Sequence, residues 1–94
     1  MLHSEKERIR IPMSDLKPGI VGIVDEIALP ESQRRLLSRI GFFVGAEVVC
    51  SRHAPLGGPI IYSLEGSEVA LRADTARHIL ISLNRLQPTG ASRR

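Results

Sequence analysis

The sequence predicts a mainly β fold: a small barrel of about five strands, with one α-helix between the first and second strands and a short helical turn before the last. Three observations carry this. Short runs of β-branched and aliphatic residues recur along the chain, several of them alternating apolar with polar. Glycines punctuate those runs where turns need them. The 94 residues are 43% hydrophobic but only 3% aromatic, which suits one aliphatic core and leaves no room for a second domain.

The elements follow in order. Residues 1–12 open with mixed charge (MLHSEKERIR), predicting a flexible N-terminal arm, and the domain is expected over 13–83. Pro18-Gly19 suits the centre of a type II turn, because proline presets the first dihedral and glycine accepts a positive one. Ile20 to Ile27 reads as the first strand, with Gly22 marking a bulge or a close backbone approach. Pro30 to Ile40 reads as the helix: proline at the first helical position, Glu31 at the positive end of the dipole, and Leu36, Leu37 and Ile40 as one apolar stripe. Gly41 is its stop. Val44-Gly45 makes a second turn, and Glu47 to Arg52 is a strand with Val48 and Cys50 on one face. APLGGP (54–59) is a loop. Ile60, Tyr62 and Leu64 alternate inward on the next strand, Val69 and Leu71 on the one after Glu65-Gly66. Ala73 to Arg77 is a helical turn, and Ile79, Ile81 and Leu83 line the last strand. Residues 84–94, rich in Pro, Gly, Ser and Arg, read as a disordered basic tail. Five such strands on an aliphatic core fit an SH3-like barrel.

Charge and cysteine usage narrow the function. Of thirteen basic residues, Arg85, Arg93 and Arg94 lie behind Leu83; the remaining ten face ten acids, so the folded part is neutral and the basicity belongs to the tail. That, with three aromatic residues available for base stacking, disfavours a nucleic-acid binder. A single cysteine excludes an internal disulfide and fits a reducing compartment. The charged N-terminus is no secretory leader, and no apolar run reaches the ~20 residues of a membrane span. The expectation is a cytoplasmic protein.

Leu16-Lys17-Pro18-Gly19, Gly22, Arg34-Arg35-Leu36-Leu37, Gly41, Gly45, Pro55-Leu56-Gly57, Pro59 and Val69-Ala70-Leu71-Arg72 occur in an order that resembles the ferrous iron transport protein A family, the FeoA domain. The resemblance spans about Met13 to Leu83 and is most specific in APLGGP followed by a hairpin and VALR. It implies an SH3-like barrel and a cytoplasmic accessory to the GTPase-coupled ferrous iron transporter of the bacterial inner membrane. A similar domain forms the C-terminal part of some metal-dependent repressors. Two positions depart from the family pattern: Val44 stands where proline is common, and Gly58 where aspartate is frequent, which removes a charge from the loop.

No catalytic set emerges from the residues. The histidines, His3, His53 and His78, are scattered; no serine or cysteine sits in a nucleophile setting; Gly57-Gly58 is followed by proline rather than by the Lys-Ser/Thr of a phosphate loop. The expectation is a protein that is not an enzyme and carries no cofactor, with GTP hydrolysis left to the partner. A metal site would need His53 and His78 to converge with Glu47, Glu68 or Asp74, since there is no Cys-x-x-Cys and no histidine pair at helical spacing. Partner-binding candidates are of two kinds. Arg34, Arg35 and Arg39 cluster on the helix, either as a solvated face or as a patch for carboxylates, which guanidinium groups bind bidentately. Leu56, beside Gly57 and Gly58, either folds over an open barrel end or is presented as an interface anchor. The expected role is non-enzymatic: binding the membrane iron transporter through its cytoplasmic GTPase part and modulating its assembly or activity. The alternatives are a nucleic-acid-binding barrel and a transition-metal-responsive module; weak metal binding and self-association stay open.

Overall fold

The computed structural model describes residues 8–84. Six strands form one antiparallel sheet in the order β1-β6-β2-β3-β4-β5, curled about an aliphatic core. They are β1 (Arg8–Pro12), β2 (Val21–Ile27), β3 (Glu47–His53), β4 (Ile60–Leu64), β5 (Ser67–Leu71) and β6 (Ile79–Asn84). Helix α1 (Glu31–Arg39) joins β2 to β3, and the single turn α2 (Ala73–Ala76) precedes β6. This is the small SH3-like barrel expected, with one strand more.

The additional strand corrects the reading of residues 8–12 as part of a flexible arm. Arg8–Pro12 pairs along its whole length with β6, Ile9 opposite Leu83 and Ile11 opposite Ile81. Ile9 and Ile11 already alternate with charged neighbours, the period of a half-buried strand. The charge at position 10 points outward and is matched there: Arg10 Nε lies 2.6 Å from Asp25 Oδ2. Arm residues 1–7 and tail residues 85–94 lie outside the described residues.

Both glycine turns form as expected. Ile20 N–H donates to Lys17 O across Pro18-Gly19 and Ala46 N–H to Phe43 O across Val44-Gly45, with positive φ at Gly19 (87°) and Gly45 (99°). Gly22 is a close approach rather than a bulge. A Cβ there would sit 2.6 Å from Cδ1 of the fully buried Ile81. The irregularity in β2 falls between Val24 and Glu26 instead.

Helix α1 starts one residue later than expected, with Pro30 as its cap, the Pro30 carbonyl accepting from the N–H groups of Gln33 and Arg34. It ends in a Schellman motif: Phe42 N–H donates to Leu37 O (2.9 Å) and Gly41 N–H to Ser38 O (3.2 Å), with Gly41 at φ 106°. The motif brings Leu37 and Phe42 together, and both are buried. The expected stripe does not pack as a unit. Of Leu36, Leu37 and Ile40, only Leu37 reaches the core.

Tyr62 occupies the centre of the core. Its ring meets Phe42 edge-on, centroids 6.3 Å apart at 87°, and its hydroxyl donates to the carbonyl of Met13 at 2.9 Å. Around it pack Met13, Leu16, Val24, Val48, Cys50, Ile60, Ala76, Ile79 and Ile81. Val48 and Cys50, Ile60 and Tyr62, and Ile79 and Ile81 each follow the inward alternation predicted for their strands.

Candidate functional site

The β3–β4 loop is built to hold one side chain out. Ala54 N–H donates to Pro59 O at 2.9 Å and closes its base, while Pro55–Gly57 makes a 3-10 turn sealed by Gly58 N–H to Pro55 O at 3.2 Å. At the tip Leu56 stands at φ 61°, ψ 38°, the one non-glycine residue with positive φ among the described residues, and Gly57 follows at φ 76°. A bulky L-residue in this region carries roughly 1–2 kcal/mol of steric cost. Leu56 recovers none of it by packing, because its side chain is fully exposed. The side chain does not fold back over the barrel end and stands in solvent. Gly58 has a local steric reason: a Cβ there would stand 2.9 Å from Ala54 Cβ and 3.3 Å from the Pro55 carbonyl oxygen. The loop therefore closes too tightly for a side chain at 58 without a shift. Beside it, Gly57, Gly58 and Pro59 share an open groove with Arg72, Ala73 and Asp74 at the start of α2.

The arginines lie elsewhere. Arg34, Arg35 and Arg39 are all exposed on α1. Arg35 pairs with Glu31 one turn back at 3.2 Å, an exposed contact of the kind that contributes only a few tenths of a kcal/mol. Arg34 and Arg39 have no ion-pair partner among the described residues. The fold does not bring this cluster to Leu56. The C-terminal end of α1 meets the far end of the β4–β5 hairpin, where Gly41 approaches Leu64. Leu56 projects from the near end, just before Ile60. Five residues of extended strand, about 16 Å, separate the two ends.

Sequence reasoning missed a third feature. Within nine residues, Leu36, Ile40, Phe43 and Val44 are 58%, 45%, 52% and 64% exposed. Phe43 borders a groove of about 380 Å³ whose walls include Gly41, Ala46, Glu47, Leu64 and Glu65. The signal was present: 36–44 holds more apolar residues than one side of a short helix can bury.

Among the described residues no three His, Cys, Asp or Glu side chains gather as a metal site, so His53 and His78 do not converge with Glu47, Glu68 or Asp74. Cys50 is buried in the core, and burial pushes its thiol up, away from the reactive thiolate. Burial likewise pushes the Tyr62 phenol well above its ordinary range, with Cys50 and Asp15 adding to the shift. Among the described residues no helix is long and apolar enough to cross a membrane.

Comparison with known proteins agrees with this architecture. Residues 11–83 match the family model of the FeoA domain. A crystal structure of an iron uptake regulatory protein (FeoA) is 30% identical, with a TM-score of 0.72 over 80% of this chain and all of the other. The solution structure of the FeoA protein from Chlorobium tepidum is 32% identical, with a TM-score of 0.74 over 78% of this chain and 70% of the other. A manganese-dependent transcriptional repressor shares the fold at 19% identity and a TM-score of 0.67, over 77% of this chain and 40% of its own. No curated protein matches.

Proposed function

The chain belongs to the FeoA domain family, whose members serve ferrous iron transport, and from that premise we propose that it is a non-enzymatic accessory of a membrane ferrous iron transporter, acting on the transporter's cytoplasmic GTPase part. The observation that carries this reading is Leu56. A fully exposed leucine held in left-handed backbone, at the tip of a loop with a closed base, is costly for the free domain and rigid enough to serve as an anchor. Gly57 and Gly58 shape the tip, and Arg72 and Asp74 flank the groove beneath it.

Such a domain modulates its partner only by binding one of the partner's states more tightly than another. Leu56 supplies the apolar contact. Arg34, Arg35 and Arg39, at the other end of the β4–β5 hairpin, supply a separate basic contact for carboxylates. GTP hydrolysis belongs to the partner. The test is co-purification of the tagged chain with the transporter, with and without nucleotide, alongside ferrous iron uptake in cells lacking the chain. Capture and restored uptake are expected for the native chain, and a loss of tenfold or more in capture for Leu56→Asp. Unchanged uptake on removal of the chain would overturn the reading.

A further inference from the structure

We propose that the face formed by the C-terminal half of α1 and the turn behind it is an isologous interface, and that its occupant is a second copy of this chain. The inference does not use Leu56 and concerns the opposite end of the β4–β5 hairpin; it meets the proposed function only at Arg39, which a dimer would withhold from the transporter's carboxylates. Leu36 on α1 and Ile40 at its C-cap lie about one turn apart, and Phe43 and Val44 follow in the turn behind the Schellman motif. Leu37 and Phe42, their immediate neighbours, are buried, so the exposed set sits on a rigid base rather than on a loose loop. A grouped apolar surface of this kind on a small domain marks an interaction site.

The charges around it select the occupant. On the helical side the patch is bordered by Arg39, about 60° around α1 from Leu36 at 100° per residue. On the strand side Phe43 shares its groove with Glu47 and Glu65. None of these three charges has an ion-pair partner among the described residues. A two-fold contact needs a self-complementary surface, because each patch meets its own copy reversed. An apolar centre with a cation on one border and carboxylates on the other meets that requirement: Arg39 of each copy faces the Glu47 and Glu65 border of its mate. An anionic lipid surface fits less well, since two carboxylates would be pressed against its headgroups.

Sedimentation equilibrium on the full chain, over micromolar to millimolar concentration, tests this. A reversible monomer–dimer equilibrium is expected. Val44→Asp alters an exposed position and should leave the fold intact by circular dichroism while raising the dimer dissociation constant at least tenfold. Arg39→Glu should also weaken association, and adding Glu47→Arg and Glu65→Arg should restore it, which a purely apolar contact would not show. Three results would each overturn the proposal: a chain monomeric at 1 mM, a dimer indifferent to Val44→Asp, or a monomer that instead co-sediments with phosphatidylserine-containing vesicles.

Discussion

Leu56 shows how one residue can work against the stability of its own domain. Its backbone is left-handed and its side chain fully exposed, so the free protein bears the steric cost without a packing return. Asparagine tolerates that conformation because its short polar side chain bonds locally. Leu56→Asn is therefore expected to stabilise the domain by about 0.5–1 kcal/mol, raising Tm by roughly 2–8 °C. The same substitution should weaken capture of the transporter. Thermal unfolding paired with the capture assay checks both, and a Leu56→Asn variant less stable than the native chain would remove the argument from strain.

At the scale of the element, α1 is seated by one side chain. Leu37 is buried against the core while its neighbours Leu36 and Ile40 remain in solvent. Leu37→Ala should cost about 2–3 kcal/mol, near the low end for core truncations because the site is at the edge of the core, whereas Leu36→Ala should change stability by less than about 0.5 kcal/mol. Urea unfolding of the two variants at a concentration where the chain is monomeric distinguishes them. A large loss for Leu36→Ala would mean that the exposed face is covered within the monomer. The same helix marks a boundary of what sequence discloses. Helical spacing showed that Leu36, Leu37 and Ile40 are close in angle and that Gly41 ends the helix, but not which of them another element covers, because that depends on how α1 lies across the sheet. β1 failed for a different reason: Arg8 and Arg10 hid the alternation of Ile9 and Ile11, and the acid that accommodates Arg10 belongs to β2, fifteen positions away in the chain. The candidate site was legible in part. APLGGP disclosed a shaped loop with an apolar tip, while the direction of that tip and its separation from the arginines came only from the fold.

Over the whole molecule, stability is tied at its centre to one phenol. Tyr62 bridges the sheet to the Met13 carbonyl and lies edge-on to Phe42. Burial holds its proton on in the folded state more tightly than in the unfolded chain, and the same holds for the Cys50 thiol. Where the unfolded chain has begun to lose these protons and the folded one has not, the folded state binds more protons, so stability falls as pH rises. The full contribution is present below the unfolded-state values and begins to be lost above about pH 9. Denaturant midpoints measured from pH 7 to 11 should be flat at first and then decline. Tyr62→Phe should cost about 1 kcal/mol at pH 7 by removing one of the two hydrogen bonds to the Met13 carbonyl, which keeps the Leu16 N–H, and should reduce the alkaline slope, leaving the share that belongs to Cys50. A slope unchanged in Tyr62→Phe would place its origin elsewhere. The outer β1–β6 pairing has a practical side. Arg8 and Asn84 are direct partners across that ladder, so the polypeptide enters and leaves the sheet at a single border. A probe placed on that border reports on closure of the barrel as well, because Ile11 of β1 and His53 at the end of β3 line one groove.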